Sequence, residues 1–247
     1  MFLQEHWLPY NEVNKKLLTD FPSFNFLSTA SDMFTPTEDL LLTGGTAWHG
    51  TALGWSKDID RFVKILPIVS ERFCGIYYSD EQSNILSYTA YLPTSGQDEE
   101  FLEVISQLCT DINQHFVEKC AIFIGLDSNQ SKKSTNRRTE AMNAFKELFS
   151  LKSTLVSDQP TFHHNNQTSV SQIDDILYFI TQTSQIEIGF LDHLCKLENS
   201  SNLSSHDVIL AECKLPFQPT AKSSKDFSKS YEPFIVSKPK WEVSGIE

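Results

Sequence analysis

The run Ile122-Phe123-Ile124-Gly125-Leu126 leads into Asp127-Ser128-Asn129. In extended chain, residues two apart face the same way, so an acid and an amide project together past a strand end. Folds that alternate strands and helices commonly bind ligands there; an Asx-type turn into the next helix is the plain alternative. Leu3-Gln4-Glu5 puts one carboxylate at a strand end. Such a group can hold a hard cation that takes oxygen ligands, and an ordinary surface glutamate fits the same letters. Ala90-Tyr91-Leu92-Pro93 closes another apolar run, where the Tyr91 hydroxyl would donate to a phosphate oxygen unless the ring is simply core. Asp174 lies inside an apolar run, an expensive place for a carboxylate without a partner. His206, in Ser204-Ser205-His206-Asp207, is the natural partner. A carboxylate–imidazole pair is the usual way to orient a catalytic base. The alternative is a strand-edge acid and an unrelated loop histidine, which is also the reading of His163 and His164. Lys132, Lys133, Arg137 and Arg138 follow Asn129 as a phosphate-contacting rim or as a solvated loop and helix start. Cations are disfavoured at a helix N-terminus, which favours the second.

The surrounding patterns say which elements hold these residues. Positions 1–8 read as the end of a buried strand, 11–20 as a short helix, and 23–30 as a strand with apolar–polar alternation. Gly44-Gly45 opens a strand through Trp55. Positions 65–78 and 84–92 read as a hairpin about a polar turn, closed by Pro93. Phe101, Val104, Ile105, Leu108, Ile112 and Phe116 recur at spacings of three and four, predicting a helix over 97–119. A buried strand at 121–126, a helix at 138–148 and strands at 173–180, 185–190 and 208–215 follow. This order is a mixed α/β domain and not an all-parallel array.

Composition narrows the class. The chain has 247 residues and 40% hydrophobic content, with 18 Phe, enough for one sizeable core. The net charge of -12 counts against tight non-specific binding to nucleic acid. A metal held by carboxylates would reverse the potential locally. Five widely spaced cysteines with no C-x-x-C pair fit free thiols in a reducing compartment. No secretory leader or membrane-length apolar run is visible, so the expectation is an intracellular protein, nuclear or cytoplasmic, without membrane contact.

Taken in order, these blocks resemble the endonuclease/exonuclease/phosphatase family. They are Gln4-Glu5, Gly44-Gly45, Tyr91-Leu92-Pro93, Gly125 through Asn129, Pro160-Thr161-Phe162, Ser171 through Leu177 and Ser204 through His206. Within that family the sequence looks like the apurinic-type endonuclease domains of LINE-type (non-LTR) retrotransposons. The resemblance implies a four-layer α/β sandwich over residues 1–215, two mixed sheets flanked by helices in the DNase I-like arrangement. Residues 216–247 are expected to be a linker or tail. It implies a Mg²⁺- or Mn²⁺-dependent endonuclease that nicks DNA, a monomer, with a reverse transcriptase domain in a parent polyprotein. Glu5 would ligate the metal. Tyr91 and Asn129 would bind the scissile phosphate, and Asp127 would handle protons. His206, oriented by Asp174, would contact the phosphate or act as base. Two departures are noted: the family's first strand would lie before Met1, and Ser205 stands where the family usually has Asp. They make a catalytically inactive truncated remnant the main alternative, and a phosphatase of the same fold the next.

Overall fold

The computed structural model describes residues 1–6, 8–30, 33, 50–117, 119–130, 135–155, 160–163, 170–180, 187–190, 206, 209 and 211–214. Strands β1 (Phe2–Gln4), β2 (Phe24–Thr29) and β3 (Thr51–Ser56) form a three-stranded antiparallel sheet in the order β1-β3-β2. A six-stranded mixed sheet faces it. Its members are β4 (Val63–Ile65), β5 (Phe73–Ser79), β6 (Asn84–Tyr91), β7 (Cys120–Asp127), β8 (Lys152–Ser153) and β11 (Asp174–Phe179). The order is β4-β5-β6-β7-β11-β8, and only the β6–β7 pairing is parallel. Two short pairs complete the described strands: β9 (Phe162–His163) with β10 (Val170–Ser171), and β12 (Glu187–Phe190) with β13 (Ala211–Lys214).

Period-two alternation sorts the central strands β5, β6 and β7 of the large sheet between two sides. Leu86, Tyr88 and Ala90 of β6, with Ile122, Ile124 and Leu126 of β7, face helices α2 (Asp98–His115) and α3 (Arg137–Leu148). Phe101, Val104, Leu108 and Ile112 of α2 and Phe145 of α3 meet them there, all buried. The opposite face looks at the small sheet, where Leu27, Leu53, Trp55, Cys74 and Ile76 form the inter-sheet core with Phe2 against it. Helix α1 (Tyr10–Asp20) covers the outer face of the small sheet through Val13 and Leu17 packed on Ala52. The layers are helix, sheet, sheet, helix. Gly125 sets the spacing between the sheets, since a Cβ there would stand 2.2 Å from Cγ of Phe2.

The sequence-predicted elements recur with shifted ends. The long helix stops at His115 because Phe116 turns extended and covers Phe179 with its ring instead. The expected strand over 65–78 is two strands broken at 66–72, so the hairpin proper is β5 with β6. Gly44-Gly45 and residues 215–247 lie outside the described residues. Among the described residues no helix is long and apolar enough to cross a membrane.

Candidate active site

Three functional candidates share one row of the large sheet. Tyr91 on β6 is in register with Asp127 on β7, and Asp127 stands opposite Asp174 on β11. All three lie at the same edge, where β6 and β7 end and β11 begins. Backbone bonds weld this edge together. Leu92 N–H donates to the Asp127 carbonyl at 2.9 Å, and the Asn129 side-chain amide donates to the Leu92 carbonyl at 2.8 Å. Asn129 itself takes a left-handed conformation (φ +46), which asparagine tolerates better than most residues. Its backbone N–H donates to Oδ1 of Asp127 at 3.0 Å.

Glu5 reaches this row from the other sheet, at the end of β1. Glu5, Asp127 and His206 place ligand atoms within 4.8 Å of one another. The His206 Nδ1 lies 3.0 and 3.1 Å from the Asp174 carboxylate oxygens, which turns Nε2 toward Glu5, 3.7 Å from its Oε2. Phe162 fixes the ring from the side: it forms an isolated antiparallel bridge with His206, and the two rings stand 4.7 Å apart. Asp174 is held in turn by Thr161, wholly buried, whose Oγ1 accepts the backbone N–H groups of Ile173 and Asp174 at 3.1 and 3.0 Å.

The electrostatics follow from burial. Asp127 is 1% exposed, and its pKa is pushed up to about 8 by desolvation and then by the Asp174 charge. The positive charge of His206 and the Asn129 N–H work against that rise. Burial alone would lower the His206 pKa, but the bond and charge of Asp174, with Asp127 and Glu5 behind, raise it. The Tyr91 hydroxyl is raised well above its ordinary value by burial and by its bond to Glu5, and it also meets the Asn129 side chain. Tyr91 therefore stays protonated at neutral pH and can only be a donor to an incoming anion.

Glu5, Tyr91, Asp127, Asn129, Asp174 and His206 are thus brought to one place from five separate stretches of chain. Ser205 and Asp207 lie outside the described residues, as do Lys132 and Lys133. The described members of the basic cluster do not form a rim. Arg138 is buried, donates to the Pro93 carbonyl and lies over the Phe101 ring, while Arg137 pairs with Glu99 at 2.6 Å. Sequence reasoning gave no role to Thr161, to Phe162 beyond its place in a block, or to Arg72. The Arg72 guanidinium stacks on Tyr91, 5.4 Å from its centroid. Thr161 and Arg72 are buried supports and Phe162 is half-buried, and a supporting threonine or arginine looks like any other in a sequence.

No family model and no curated protein matches this chain. Solved structures do. One is an endonuclease/exonuclease/phosphatase protein from Bacteroides vulgatus, with TM-score 0.60 and 13% identity over 87% of this chain and 84% of that one. The fold is that of the endonuclease/exonuclease/phosphatase family. A second is D. rerio TDP2 complexed with a single-strand DNA product, with TM-score 0.54 and 15% identity over 83% of this chain and 82% of that one. A third is the endonuclease domain of TRAS1, a telomere-specific non-LTR retrotransposon, with TM-score 0.52 and 16% identity over 85% of this chain and 93% of that one.

Proposed function

We propose that this chain is a divalent-metal-dependent phosphodiester hydrolase, a DNA-nicking endonuclease domain of the retrotransposon type. The observation that carries the reading is the convergence of Glu5, Asp127 and His206 within 4.8 Å, with Asp174 bonded to the back of His206. A buried acid beside two further carboxylates is costly unless a cation offsets the repulsion, so this donor set fits Mg²⁺ or Mn²⁺. Glu5 is the metal carboxylate, with Asp127 close enough to share the ion. When bound, the ion neutralises charge developing on the phosphate.

The chain's own groups do the rest. Tyr91, with Asn129 beside its hydroxyl, donates to a non-bridging phosphate oxygen. Imidazolium His206 presents Nε2 to the same phosphate, its charge held by Asp174. Asp127, whose proton affinity is raised toward neutrality, takes the proton of the attacking water as the new P–O bond forms. The bond to the leaving oxygen breaks, and that oxygen is protonated from His206 or solvent. On this reading the chain would act on DNA as a monomeric module, with a reverse transcriptase elsewhere in a parent polyprotein.

The net charge of -12 favours a second reading, a phosphatase acting on small phosphoesters, which needs no long polyanion track. One assay separates them. Supercoiled plasmid and a small aryl phosphate are offered with Mg²⁺, with Mn²⁺ or with EDTA, using Asp127→Ala and His206→Ala as controls. Metal-dependent nicking lost in both variants supports the endonuclease. Turnover of the aryl phosphate alone supports the phosphatase. A folded chain that does neither is an inactive remnant, and the proposal falls.

A further inference from the structure

Glu5 sits in left-handed backbone (φ +53), a strained conformation that a non-glycine residue keeps only where its surroundings impose it. Its two neighbours impose it, one from each sheet. On the N-terminal side, Gln4 Nε2 donates to Thr89 Oγ1 at 3.0 Å, and that hydroxyl donates to the Leu3 carbonyl at 3.2 Å. Thr89 belongs to β6, so this side is tied to the six-stranded sheet.

The C-terminal side is tied to the other sheet by His6. Leu8 N–H lies 3.1 Å from His6 Nδ1, and His6 Nε2 lies 2.7 Å from the carbonyl of Thr29, the last residue of β2. A backbone N–H can only donate and a carbonyl can only accept. The two bonds therefore define one species: neutral imidazole with its proton on Nε2. Both nitrogens are occupied by backbone, so the ring is no metal ligand. Gly50 makes room for it. At φ +89, a Cβ on Gly50 would stand 2.3 Å from Cε1 of His6.

We propose that His6 is a positioning residue for the metal carboxylate. Seated against Gly50 and bridging Leu8 to Thr29, its ring holds Glu5 in the left-handed conformation and so sets the cation affinity of the site. This rests on the reading of Glu5 as the metal carboxylate.

The test is Mn²⁺ binding to the full chain, followed by the electron paramagnetic resonance of free Mn²⁺, so no turnover is needed. Wild type should bind and Glu5→Gln should not. His6→Ala should weaken binding about tenfold or more, the usual cost of losing a group that orients a metal ligand. His6→Gln, which keeps a donor and an acceptor, should recover part of that loss. Gly50→Ala should weaken binding while leaving every polar group in place. If wild type and Glu5→Gln bind Mn²⁺ alike, the metal reading of Glu5 fails and takes this proposal with it. If Glu5→Gln loses binding while His6→Ala and Gly50→Ala match wild type, only the role of His6 is overturned. Should His6→Ala not fold by circular dichroism, Gly50→Ala decides: wild-type binding by that variant overturns the role of His6, and weakened binding supports it.

Discussion

Asp174 stands directly opposite Asp127 across the β11–β7 pair, yet only Asp174 bonds to His206. Two carboxylates in one row thus have different surroundings: one is neutralised in part by an imidazole, and the other is 1% exposed and pushed toward its protonated form. Paired acids whose environments separate their proton affinities are how a site divides acid and base work. Asp174→Asn keeps the shape but removes the charge that holds imidazolium His206. Turnover should fall about 10- to 100-fold while Mn²⁺ affinity moves little, because Asp174 bonds to His206, the phosphate contact, and not to Glu5 or Asp127, which would hold the ion. An unchanged rate, measured with the phosphoester that the wild type turns over, would remove Asp174 from the mechanism.

Stability of the metal-free chain should carry the signature of Asp127. Its folded-state pKa is raised from 3.8 to about 8, in a setting faced by Glu5, Asp174, His206 and the Asn129 N–H. A raised pKa means that the folded state holds the proton more tightly. The group's contribution is therefore fully present below about 3.8 and is lost as pH rises toward 8. His206, also raised, has the same sign: its contribution is full below 6.5 and is lost as pH rises through its folded value. Thermal melts in EDTA should show wild type losing ground to Asp127→Asn between about pH 4 and pH 8. Mg²⁺ should reverse that loss most strongly at the upper end, since it binds the deprotonated form. A wild-type minus variant difference that is flat with pH would contradict the raised value.

Gly125 lies between fold and site. Gly125→Ala drives a methyl into the Phe2 ring at the sheet interface, and overpacking of this kind costs roughly 1–3 kcal/mol. The urea midpoint should drop by a corresponding amount. Phe2→Leu should restore part of it, because the clash is with that side chain. If Phe2→Leu and Gly125→Ala are simply additive, the two sheets are not spaced by this contact.

Much of this was legible in the letters, and the reason is periodicity. Leu86, Tyr88 and Ala90 alternate with Ser87 and Thr89, and Phe101 through Ile112 recur at helical spacing, so β6 and α2 follow from pattern alone. The row Tyr91, Asp127, Asp174 follows once those strands are paired in register. Periodicity is silent about what crosses between elements. Nothing in Gln4-Glu5-His6 says that one neighbour of Glu5 reaches Thr89 and the other Thr29. Arg138 read as surface charge because its partner, the Pro93 carbonyl, is 45 residues away in sequence. The break at 66–72 was hidden by apolar letters, since Leu66 is buried and Val69 is exposed there.

Thr161 tests how far such a hidden support reaches into function. It is wholly buried, and its Oγ1 is the acceptor for the backbone N–H of both Ile173 and Asp174. Thr161→Val keeps the volume and deletes the acceptor. Leaving buried N–H groups without it should cost about 1–3 kcal/mol, read as a lower urea midpoint. The carboxylate that orients His206 hangs on the same backbone. Turnover should therefore fall as well, at temperatures where circular dichroism shows the variant folded. Thr161→Ser, which loses a methyl but keeps the oxygen, should restore turnover more fully than stability. If valine lowers stability and leaves turnover untouched, Thr161 supports the strand but does not position Asp174, and the chain of contacts from Thr161 through Asp174 to His206 is structural only.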